Sequence, residues 1–381
     1  MMPQQGTLTL SASAMRHNIT ALRQRGGPRV ELMATVKANA YGHGLRPCVE
    51  ILVGEGINWF CVYSLEEARQ VATLAPWANI LTLAPSQMIG NERLEPWQCE
   101  LLQSQKIRLT INDQSSAATI AQAIILAGMT SPVPVHVQVD TGLVRQGAAP
   151  HDLEHVCNTV RQQDRLRLEG VFMHLSHGDE PGHVTVREQI GLFMRVTDKL
   201  KRLWPELLRH AQNSGGAWHG LEDMAELDMV RPGIAIYGLQ PSMGHPIAEL
   251  KPVAKLTAPV TAIHLIEPGC GVGYGHAFVA KRRSQIAVVP VGYADGYPRM
   301  LGNHAVVSLN NKIIPVVGRV SMDQVTIDVT DLPACIGDEV VLMSSSAEDP
   351  HATDRLASLC GTIGYELATR WGSRLRRVVG P

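Results

Sequence analysis

A lysine followed by small residues stands directly after an apolar segment near the start of the chain. The segment VELMATV (30–36) has the composition of a buried strand, Lys37 comes next, and residues 38–44 hold alanine or glycine at four of seven positions. Burial lowers the pKa of a lysine, and the neutral amine can attack an aldehyde, as in a Schiff base with pyridoxal phosphate. A lysine that keeps its ammonium in water at a strand end is the alternative. The small residues favour the first interpretation, because they leave room for a cofactor ring.

Several other apolar segments also end in polar side chains. These are Gln138 and Arg145 at or after 133–139, His174 in 168–175, Asn213 and Ser214 at the end of 207–213, and Arg231 in 227–233. Two glycines follow Ser214, and exposed backbone N–H groups of this kind bind phosphate. Each side chain alone could serve only to bond a loop carbonyl. Together, a lysine, two arginines, a histidine and an Asn–Ser pair at strand ends indicate one shared site.

A second unusual segment lies in the last third of the chain. In CGVGYGHA (270–277), glycines alternate around Tyr274, but their spacing is not G-x-G-x-x-G and no crossover helix follows. A dinucleotide-binding fingerprint is therefore excluded. Glycines on both sides let the backbone approach another surface closely and project one phenol forward. A structural tyrosine at a turn is the alternative.

Elements that alternate in character must position these residues. Eight β-rich segments alternate with helical ones, as expected for a parallel sheet covered on both faces, and their number predicts closure into a (β/α)8 barrel. The segments are 30–36, 57–62, 79–84, 107–111, 133–139, 168–175, 207–213 and 227–233, with CELLQ (99–103) competing with 79–84 for one position. We therefore predict an α/β fold in which residues 1–243 form the barrel. Residues 244–381 form a mainly β domain with a hairpin turn at 309–312 and a helical tail from about residue 352.

The composition excludes several classes of protein. With 381 residues, 45% hydrophobic, 18% charged and a net charge of −1, the chain is globular and lacks the basic excess of a general nucleic-acid binder. The basic residues near the C-terminus are expected to form a solvated face. Seven scattered cysteines without a C-x-x-C pair argue against a disulfide framework or a zinc site, so we expect no metal. Because neither a signal peptide nor a long apolar run is present, we expect a cytoplasmic protein without membrane contact.

Motifs along nearly the whole chain resemble those of the alanine racemase family of fold-type III pyridoxal-phosphate enzymes. They are VKANAYGHG (36–44), VDTGLVRQG (139–147), GVFMHL (170–175), NSGG (213–216), RPGIAIYG (231–238), GYGHAF (273–278), VGYADGYPR (291–299), VGRVSMDQVTIDV (317–329) and GTIGYE (361–366). The resemblance implies a barrel that binds pyridoxal phosphate, a C-terminal β domain and a head-to-tail homodimer. Each active site would then combine the barrel of one chain with the β domain of the other.

The resemblance also implies roles for individual residues. Lys37 matches the lysine that binds the cofactor and exchanges one proton, and Tyr274 from the partner matches the opposing base. His174 matches a residue that contacts this tyrosine and relays toward Arg231, which matches the arginine facing the pyridine nitrogen. Further residues match the cofactor site (Tyr41, Asn213, Ser214, Gly233, Ile234 and Tyr365) or the surroundings of the substrate (Arg145, which also adjoins the cofactor, Met322 and Tyr293).

Four positions depart from the pattern that the resemblance implies. Gln138 stands where many members have a carbamylated lysine, so the negative charge beside Arg145 is missing, and a bound anion such as chloride could replace it. Met173, Leu175 and Gly364 replace the usual Thr, Phe and Asn. Since residues other than lysine at the position of Gln138 occur in racemases of broader or serine specificity, this departure bears on the substrate.

The prediction for function is racemisation of a small amino acid, L-alanine to D-alanine, by proton exchange on two faces. D-Alanine would serve as a cell-wall precursor. The alternatives are a broad-specificity or serine-preferring racemase, a decarboxylase of related fold, and a non-catalytic carrier of pyridoxal phosphate. The presence of Tyr274 and of the β domain argues against the carrier, because short single-domain barrels of that kind lack the β domain.

Overall fold

Eight parallel strands close into a barrel in chain order, as the alternation predicts. The computed structural model describes residues 6–90, 93–219 and 226–381. The barrel strands are β2 (Glu31–Thr35), β3 (Trp59–Val62), β4 (Asn79–Pro85), β5 (Ile107–Ile111), β6 (Val133–Gln138), β7 (Leu166–Phe172), β8 (Leu208–Ala211) and β9 (Met229–Val230). Each of the eight predicted segments overlaps a strand, and the competing segment 99–103 lies in a helix. The predicted fold class is confirmed.

Helices surround the barrel and connect its strands. They are α1 (Ala12–Gly26), α2 (Lys37–Tyr41), α3 (Leu45–Gly54), α4 (Leu65–Leu74), α5 (Gln87–Gly90), α6 (Pro96–Gln103), α7 (Gln114–Leu126), α8 (Leu153–Arg161), α9 (Val184–Leu203) and α10 (Ser214–His219). Polar side chains cap the N-termini of two of these helices. Ser64 accepts from the N–H of Glu67 at 3.3 Å, and Asp113 accepts from the N–H of Ser116 at 2.7 Å.

The C-terminal part is mainly β structure. Its strands are β10 (Ala254–Pro259), β11 (Ala262–Ile266), β12 (Gly271–Val272), β13 (Phe278–Val279), β14 (Ser284–Val289), β15 (Val306–Leu309), β16 (Lys312–Pro315), β17 (Val325–Asp328), β18 (Glu339–Met343) and β19 (Arg376–Gly380). A six-stranded sheet has the order β16-β15-β18-β10-β1-β19, where β1 is Thr7–Ser11, and β11-β14-β17 form a three-stranded sheet. The predicted hairpin turn is present, since Asn310 and Asn311 both have positive φ between paired strands.

The two ends of the chain meet in this six-stranded sheet. Strand β1 pairs antiparallel with β10 and parallel with β19, so the first strand of the chain does not contribute to the barrel. The tail from residue 352 contains two short helices, α11 (Thr353–Leu359) and α12 (Gly364–Thr369), and ends in a strand rather than in a helix. The expectation of a solvated basic face is wrong for Arg377, whose guanidinium is half-buried and bonds backbone carbonyls.

Candidate active site

Lys37 begins a turn of left-handed helix at the mouth of the barrel. The φ angles of Ala38, Asn39, Ala40 and Tyr41 are 52°, 55°, 55° and 51°. A left-handed conformation costs roughly 1–2 kcal/mol per residue, so neighbouring groups must hold this turn. Lys37 itself is half-buried, and its Nζ has no hydrogen-bond partner within residues 6–90, 93–219 and 226–381. Its amine is therefore available to a ligand.

The side chains of Asn39 and Glu67 fix the left-handed turn by hydrogen bonds. Asn39 Oδ1 accepts from the N–H of Leu45 at 2.7 Å. The two carboxylate oxygens of Glu67 accept from the N–H groups of Ala38 and Tyr63, both at 2.7 Å. Beyond its place in the first turn of α4, the Glu67 carboxylate thus joins the turn that follows β2 to the end of β3. The position of Lys37 therefore depends on a side chain of α4.

The C-terminal part packs against the same turn. Gly42 has a φ of 79°, and a Cβ atom there would collide with the carbonyl of Ala368. The guanidinium of Arg377 donates from Nη2 to the carbonyl oxygen of Gly42 at 2.8 Å and from Nε at 3.2 Å. Only glycine permits this close approach. The end of the chain therefore supports the segment that carries Lys37.

Residues predicted to bind phosphate come together beside Lys37. The buried Ser214 Oγ accepts from the N–H groups of Gly233 at 2.8 Å and Ala235 at 3.2 Å. A side chain at Gly233 would collide with the hydroxyl of Tyr41, and the rings of Tyr41 and Tyr365 lie 6.2 Å apart. Burial raises the pKa of both phenols well above the ordinary value, so they remain hydrogen-bond donors at neutral pH. Three hydroxyl groups that can donate hydrogen bonds, next to a glycine that leaves space beside Tyr41, suit a phosphate dianion.

Asn213 supports this cluster from behind rather than entering it. Its Oδ1 accepts from the N–H of Gly216 at 3.1 Å, and its Nδ2 donates to the carbonyl of Leu175 at 3.4 Å. Its side chain therefore caps α10 and ties it to the loop after β7. Ile234 begins a short 3₁₀ helix (Ile234–Tyr237) and is buried.

Arg231 and His174 stand at the ends of β9 and β7. The buried guanidinium of Arg231 donates to Nδ1 of His210 at 2.8 Å and to the carbonyl of Met173 at 2.5 Å. Burial lowers the pKa of Arg231 to about 10, so the guanidinium stays charged at neutral pH. Burial, together with the positive charges of Arg231, Arg145 and Lys37, lowers the pKa of His174 to about 3. His174 is therefore a neutral imidazole among three cations.

Tyr274, Tyr293 and Met322 are not brought to Lys37 within one chain. Tyr274 lies in a 3₁₀ turn between Gly273 and Gly275, both with positive φ, and is 72% exposed. Tyr293 and Met322 are 44% and 52% exposed. The segments that carry Tyr293 and Met322 contact each other, because the N–H of Ala294 donates to the carbonyl of Met322 at 3.0 Å. These residues lie on the surface of the C-terminal part.

Gln138 and Arg145 are close in sequence but not hydrogen-bonded to each other in the part of the chain that the structure describes. Gln138 is buried at the end of β6. Asp140 Oδ1 accepts from the N–H groups of Gly142, Leu143 and Val144 at 2.8, 2.9 and 3.1 Å, which fixes the following loop. Arg145 is exposed and lines a cavity of about 490 Å³. Burial therefore does not by itself require an anion beside Arg145.

The remaining departures from the family pattern have local structural consequences. A side chain at Gly364 would collide with the carboxylate of Asp354, which accepts from the N–H of Gln240 at 3.0 Å. Met173 contributes its carbonyl to Arg231, as described above, and Leu175 packs beside Gly216. Glycine at 364 is thus matched to the buried carboxylate next to it.

The site residues predicted from the sequence do not include Glu67 or the polar side chains inside the barrel. His136, Glu169 and His210 are buried or nearly so and hydrogen-bonded in a row that reaches Arg231. A signal existed, because each is a polar residue inside a predicted strand. A polar residue in a strand does not reveal its partners, which for His136 lie 33 and 74 residues away in the chain.

Comparisons with known proteins agree with this architecture. Residues 10–241 match the family profile "Alanine racemase, N-terminal domain", and residues 253–379 match "Alanine racemase, C-terminal domain". The alanine racemase of Symbiobacterium thermophilum is 36% identical over 97% of this chain and 95% of its own, and that of Desulfovibrio desulfuricans is 34% identical over 97% and 96%.

Solved structures are similar over the full length. The alanine racemase from D-cycloserine-producing Streptomyces lavendulae has a TM-score of 0.87 and 32% identity, covering 100% of this chain and 98% of its own. The alanine racemase from Bartonella henselae, solved with covalently bound pyridoxal phosphate, has a TM-score of 0.83 and 31% identity, covering 99% and 100%.

A closed parallel barrel with a lysine at its mouth, joined to a β domain, is the architecture that this chain shares with the solved alanine racemases. The chain belongs to the alanine racemase family. The predicted family and the predicted isomerase class are confirmed.

Proposed function

We propose that this chain interconverts L- and D-alanine, with pyridoxal phosphate bound to Lys37 in a homodimer with shared active sites. The observation that carries the proposal is the convergence of Lys37, Arg231 and the hydroxyls of Tyr41, Ser214 and Tyr365 at one barrel mouth. The full-length similarity to alanine racemases supports alanine as the substrate.

The residues at the barrel mouth fit pyridoxal phosphate. The unpartnered Lys37 amine would hold its aldehyde carbon, and the hydroxyls of Tyr41, Ser214 and Tyr365 would hold its phosphate. The absence of a side chain at Gly233 leaves the phosphate space beside Tyr41. When bound, this cofactor withdraws electrons from the Cα–H bond of the amino acid and so makes its proton acidic.

Racemisation needs one proton acceptor on each face of Cα. Lys37 serves one face. We assign the opposite face to Tyr274 of the partner subunit, because Tyr274 of the same chain is exposed on the C-terminal part. The exposed Tyr293 and Met322 lie on the same part of the chain and would meet the substrate of the partner barrel. Sedimentation of the purified protein tests the dimer.

The test of the proposed function is a racemisation assay with the purified protein and added pyridoxal phosphate. D-Alanine formed from L-alanine is measured by D-amino-acid oxidase, with L-serine, L-lysine and L-arginine run in parallel. The highest kcat/KM is expected for alanine. A higher value for serine, or comparable values for all four, would assign the broader-specificity function instead, and the absence of turnover on any would overturn the racemase proposal.

We assign the chain to the cytoplasm and its product to cell-wall precursors. No helix in the described ranges is long and apolar enough to cross a membrane. Growth of a bacterium that requires D-alanine, restored by this chain without a secretion signal added, is the result that supports both assignments.

Arg231→Glu is expected to raise transamination relative to racemisation. The guanidinium offers only donors and so leaves the ring nitrogen of the cofactor unprotonated, whereas a carboxylate would stabilise a proton there. A protonated ring is a stronger electron acceptor and allows protonation at the wrong carbon. Pyruvate released from alanine, measured with lactate dehydrogenase, reports the side reaction.

Arg231→Gln is the matched control, because it also replaces the guanidinium beside His210 but carries no charge. We expect pyruvate formation to rise in the Glu variant and to stay near the wild-type level in the Gln variant. If both variants bind the cofactor and neither forms more pyruvate, then Arg231 does not face the ring nitrogen.

Removal of carbon dioxide is expected to leave the activity unchanged. A carbamate forms only on an unprotonated amine, and the side chain of Gln138 has none. Rates are compared in degassed buffer and in buffer with added bicarbonate at equal pH. The Gln138→Lys variant supplies the converse test. Bicarbonate dependence in this variant would identify the position as a carbamylation site. Activity that does not depend on bicarbonate would contradict the match between Gln138 and the family's carbamylated lysine beside Arg145.

A further inference from the structure

A row of hydrogen-bonded polar side chains crosses the interior of the barrel and ends at Arg231. Arg231 Nη1 lies 2.8 Å from His210 Nδ1, and His210 Nε2 lies 2.6 Å from His136 Nδ1. His136 Nε2 lies 3.1 Å from Glu169 Oε2, which also accepts from Arg108 Nε at 2.6 Å. The interior of such barrels is usually filled by branched apolar side chains, so this row needs an explanation.

Every proton in the row has one possible position. A guanidinium can only donate, so His210 Nδ1 accepts from Arg231 and its ring carries hydrogen on Nε2. That hydrogen is donated to His136 Nδ1, so His136 also carries hydrogen on Nε2. His136 donates it to the carboxylate of Glu169, which can only accept. An obligate donor at one end and an obligate acceptor at the other therefore fix both tautomers.

The electrostatics agree with two neutral rings. Burial lowers the pKa of His136 and His210, and the nearby Arg231 lowers both further. Burial opposes ionisation of Glu169, but the hydrogen bonds from His136 and Arg108 outweigh it and hold the pKa of Glu169 well below its usual range. The row therefore joins a cation at the active site to an anion near the other end of the barrel.

The row is fully satisfied and tightly packed. Each nitrogen and oxygen atom that links the row has a hydrogen-bond partner. The row therefore differs from a partly satisfied buried network, which would be costly to fold. The ring of Phe172 stacks on His210 at 4.8 Å, and Arg108 lies over Trp59 at 4.7 Å. A Cβ atom at Gly170 would lie 2.8 Å from the ring of His136, so the backbone packs closely on this imidazole. At the active-site end, both Nη atoms of Arg231 are engaged, whereas its Nε has no hydrogen bond to any residue of the described part.

We propose that Glu169 and His136 are positioning residues that act on the reaction through Arg231. Their chain of hydrogen bonds holds the plane of the guanidinium and keeps His210 as an acceptor, so that Nε of Arg231 is left to face the cofactor. This inference rests on the proposed role of Arg231 toward the ring nitrogen. Neither Glu169 nor His136 touches the substrate.

The first test determines the two tautomers in the holoenzyme. Protein labelled with ¹⁵N-histidine is examined by NMR, with His136→Gln and His210→Gln variants used to assign the signals. Both rings are expected to be neutral and to carry hydrogen on Nε2, with the Nε2 protons in strong hydrogen bonds. A signal for hydrogen on Nδ1 of either ring would overturn the proposed direction of the row.

The second test measures the effect of the distant carboxylate. Glu169→Gln keeps an acceptor for His136 but removes the charge, and we expect kcat to fall about tenfold with little change in KM. The absorption of the bound cofactor is expected to shift, since the donor facing its ring changes. Glu169→Asp keeps the charge and is expected to restore most of kcat.

Asp198→Asn is the matched control for loss of a carboxylate. Asp198 accepts from the buried Arg209 of β8, the strand of His210, at 2.8 Å, but among the described residues no side-chain hydrogen bond joins this pair to Arg231. A merely structural role of Glu169 predicts a lower melting temperature for Glu169→Gln with kcat per folded site unchanged, as expected for Asp198→Asn. That result overturns the proposal.

A double variant separates this inference from the proposed function. If Glu169 acts through Arg231, then Glu169→Gln has no further effect on kcat when Arg231 is already alanine. Equal effects in both backgrounds would contradict the proposal while the wild-type enzyme still racemises alanine. A wild-type protein that racemises nothing would instead refute the proposed function, and the NMR result would remain interpretable.

Discussion

Replacing Lys37 with alanine is expected to abolish racemisation and covalent binding of pyridoxal phosphate. The loss combines the covalent attachment point with one of the two proton-transfer groups, so the rate should fall by more than about ten-thousand-fold. The left-handed turn at 38–41 and the hydrogen bonds that Glu67 accepts hold the amine of Lys37 at the barrel mouth.

Borohydride reduction makes this prediction direct. In the wild type, reduction converts the bond between the lysine and the cofactor into a stable secondary amine that survives denaturation, and mass spectrometry locates it on the peptide that contains Lys37. Lys199→Ala is the control, because Lys199 is an exposed lysine paired with Glu154 on the surface, where such pairs contribute little. Cofactor fixed to the Lys37→Ala variant would show that another lysine is the attachment point.

The sequence predicts the barrel well because each strand carries a local signal. Apolar β-rich segments at regular spacing predict eight parallel strands, and the polar residue that ends a strand marks its active-site end. The amino-acid sequence alone therefore places Lys37, Ser214 and Arg231 in one site. Their convergence follows from topology, since the carboxyl ends of all the strands of a parallel barrel meet at one mouth.

Other features depend on contacts between distant parts of the chain and have no local signal. The left-handed turn after Lys37 is stabilised by Glu67 and by Arg377, which lies 335 positions from its partner Gly42. Strand β19 forms only because β1 offers it an edge. The row from Arg231 to Glu169 joins β6, β7 and β8 through side chains whose partners lie on other strands. Periodicity alone identifies none of these pairings.

Replacing Tyr274 with phenylalanine is expected to remove proton transfer on one face of Cα while leaving the other face active. Racemisation must fall equally in both directions, by about 10²–10⁴-fold, because the enantiomers have equal free energy and one proton-transfer group is lost. Exchange of the Cα proton with solvent separates the faces. In D₂O, D-alanine is expected to exchange through Lys37 with retained configuration, whereas exchange of L-alanine should be lost. Exchange that persists equally from both enantiomers would contradict the assignment, and Tyr63→Phe, which alters an exposed phenol of the barrel domain, is the control.

The same variant tests whether each active site draws Tyr274 from the partner subunit. In a heterodimer of the Lys37→Ala and Tyr274→Phe chains, one site receives both substitutions and the other receives neither. If the two chains assemble at random, half of the dimers are mixed and half of the sites in those are intact, so mixing two inactive proteins should restore about a quarter of the wild-type activity. If Tyr274 served the site of its own chain, every site would lack one group and no activity would return. The 72% exposure of Tyr274 in the single chain favours the first outcome, since a proton-transfer group left in water has no substrate beside it.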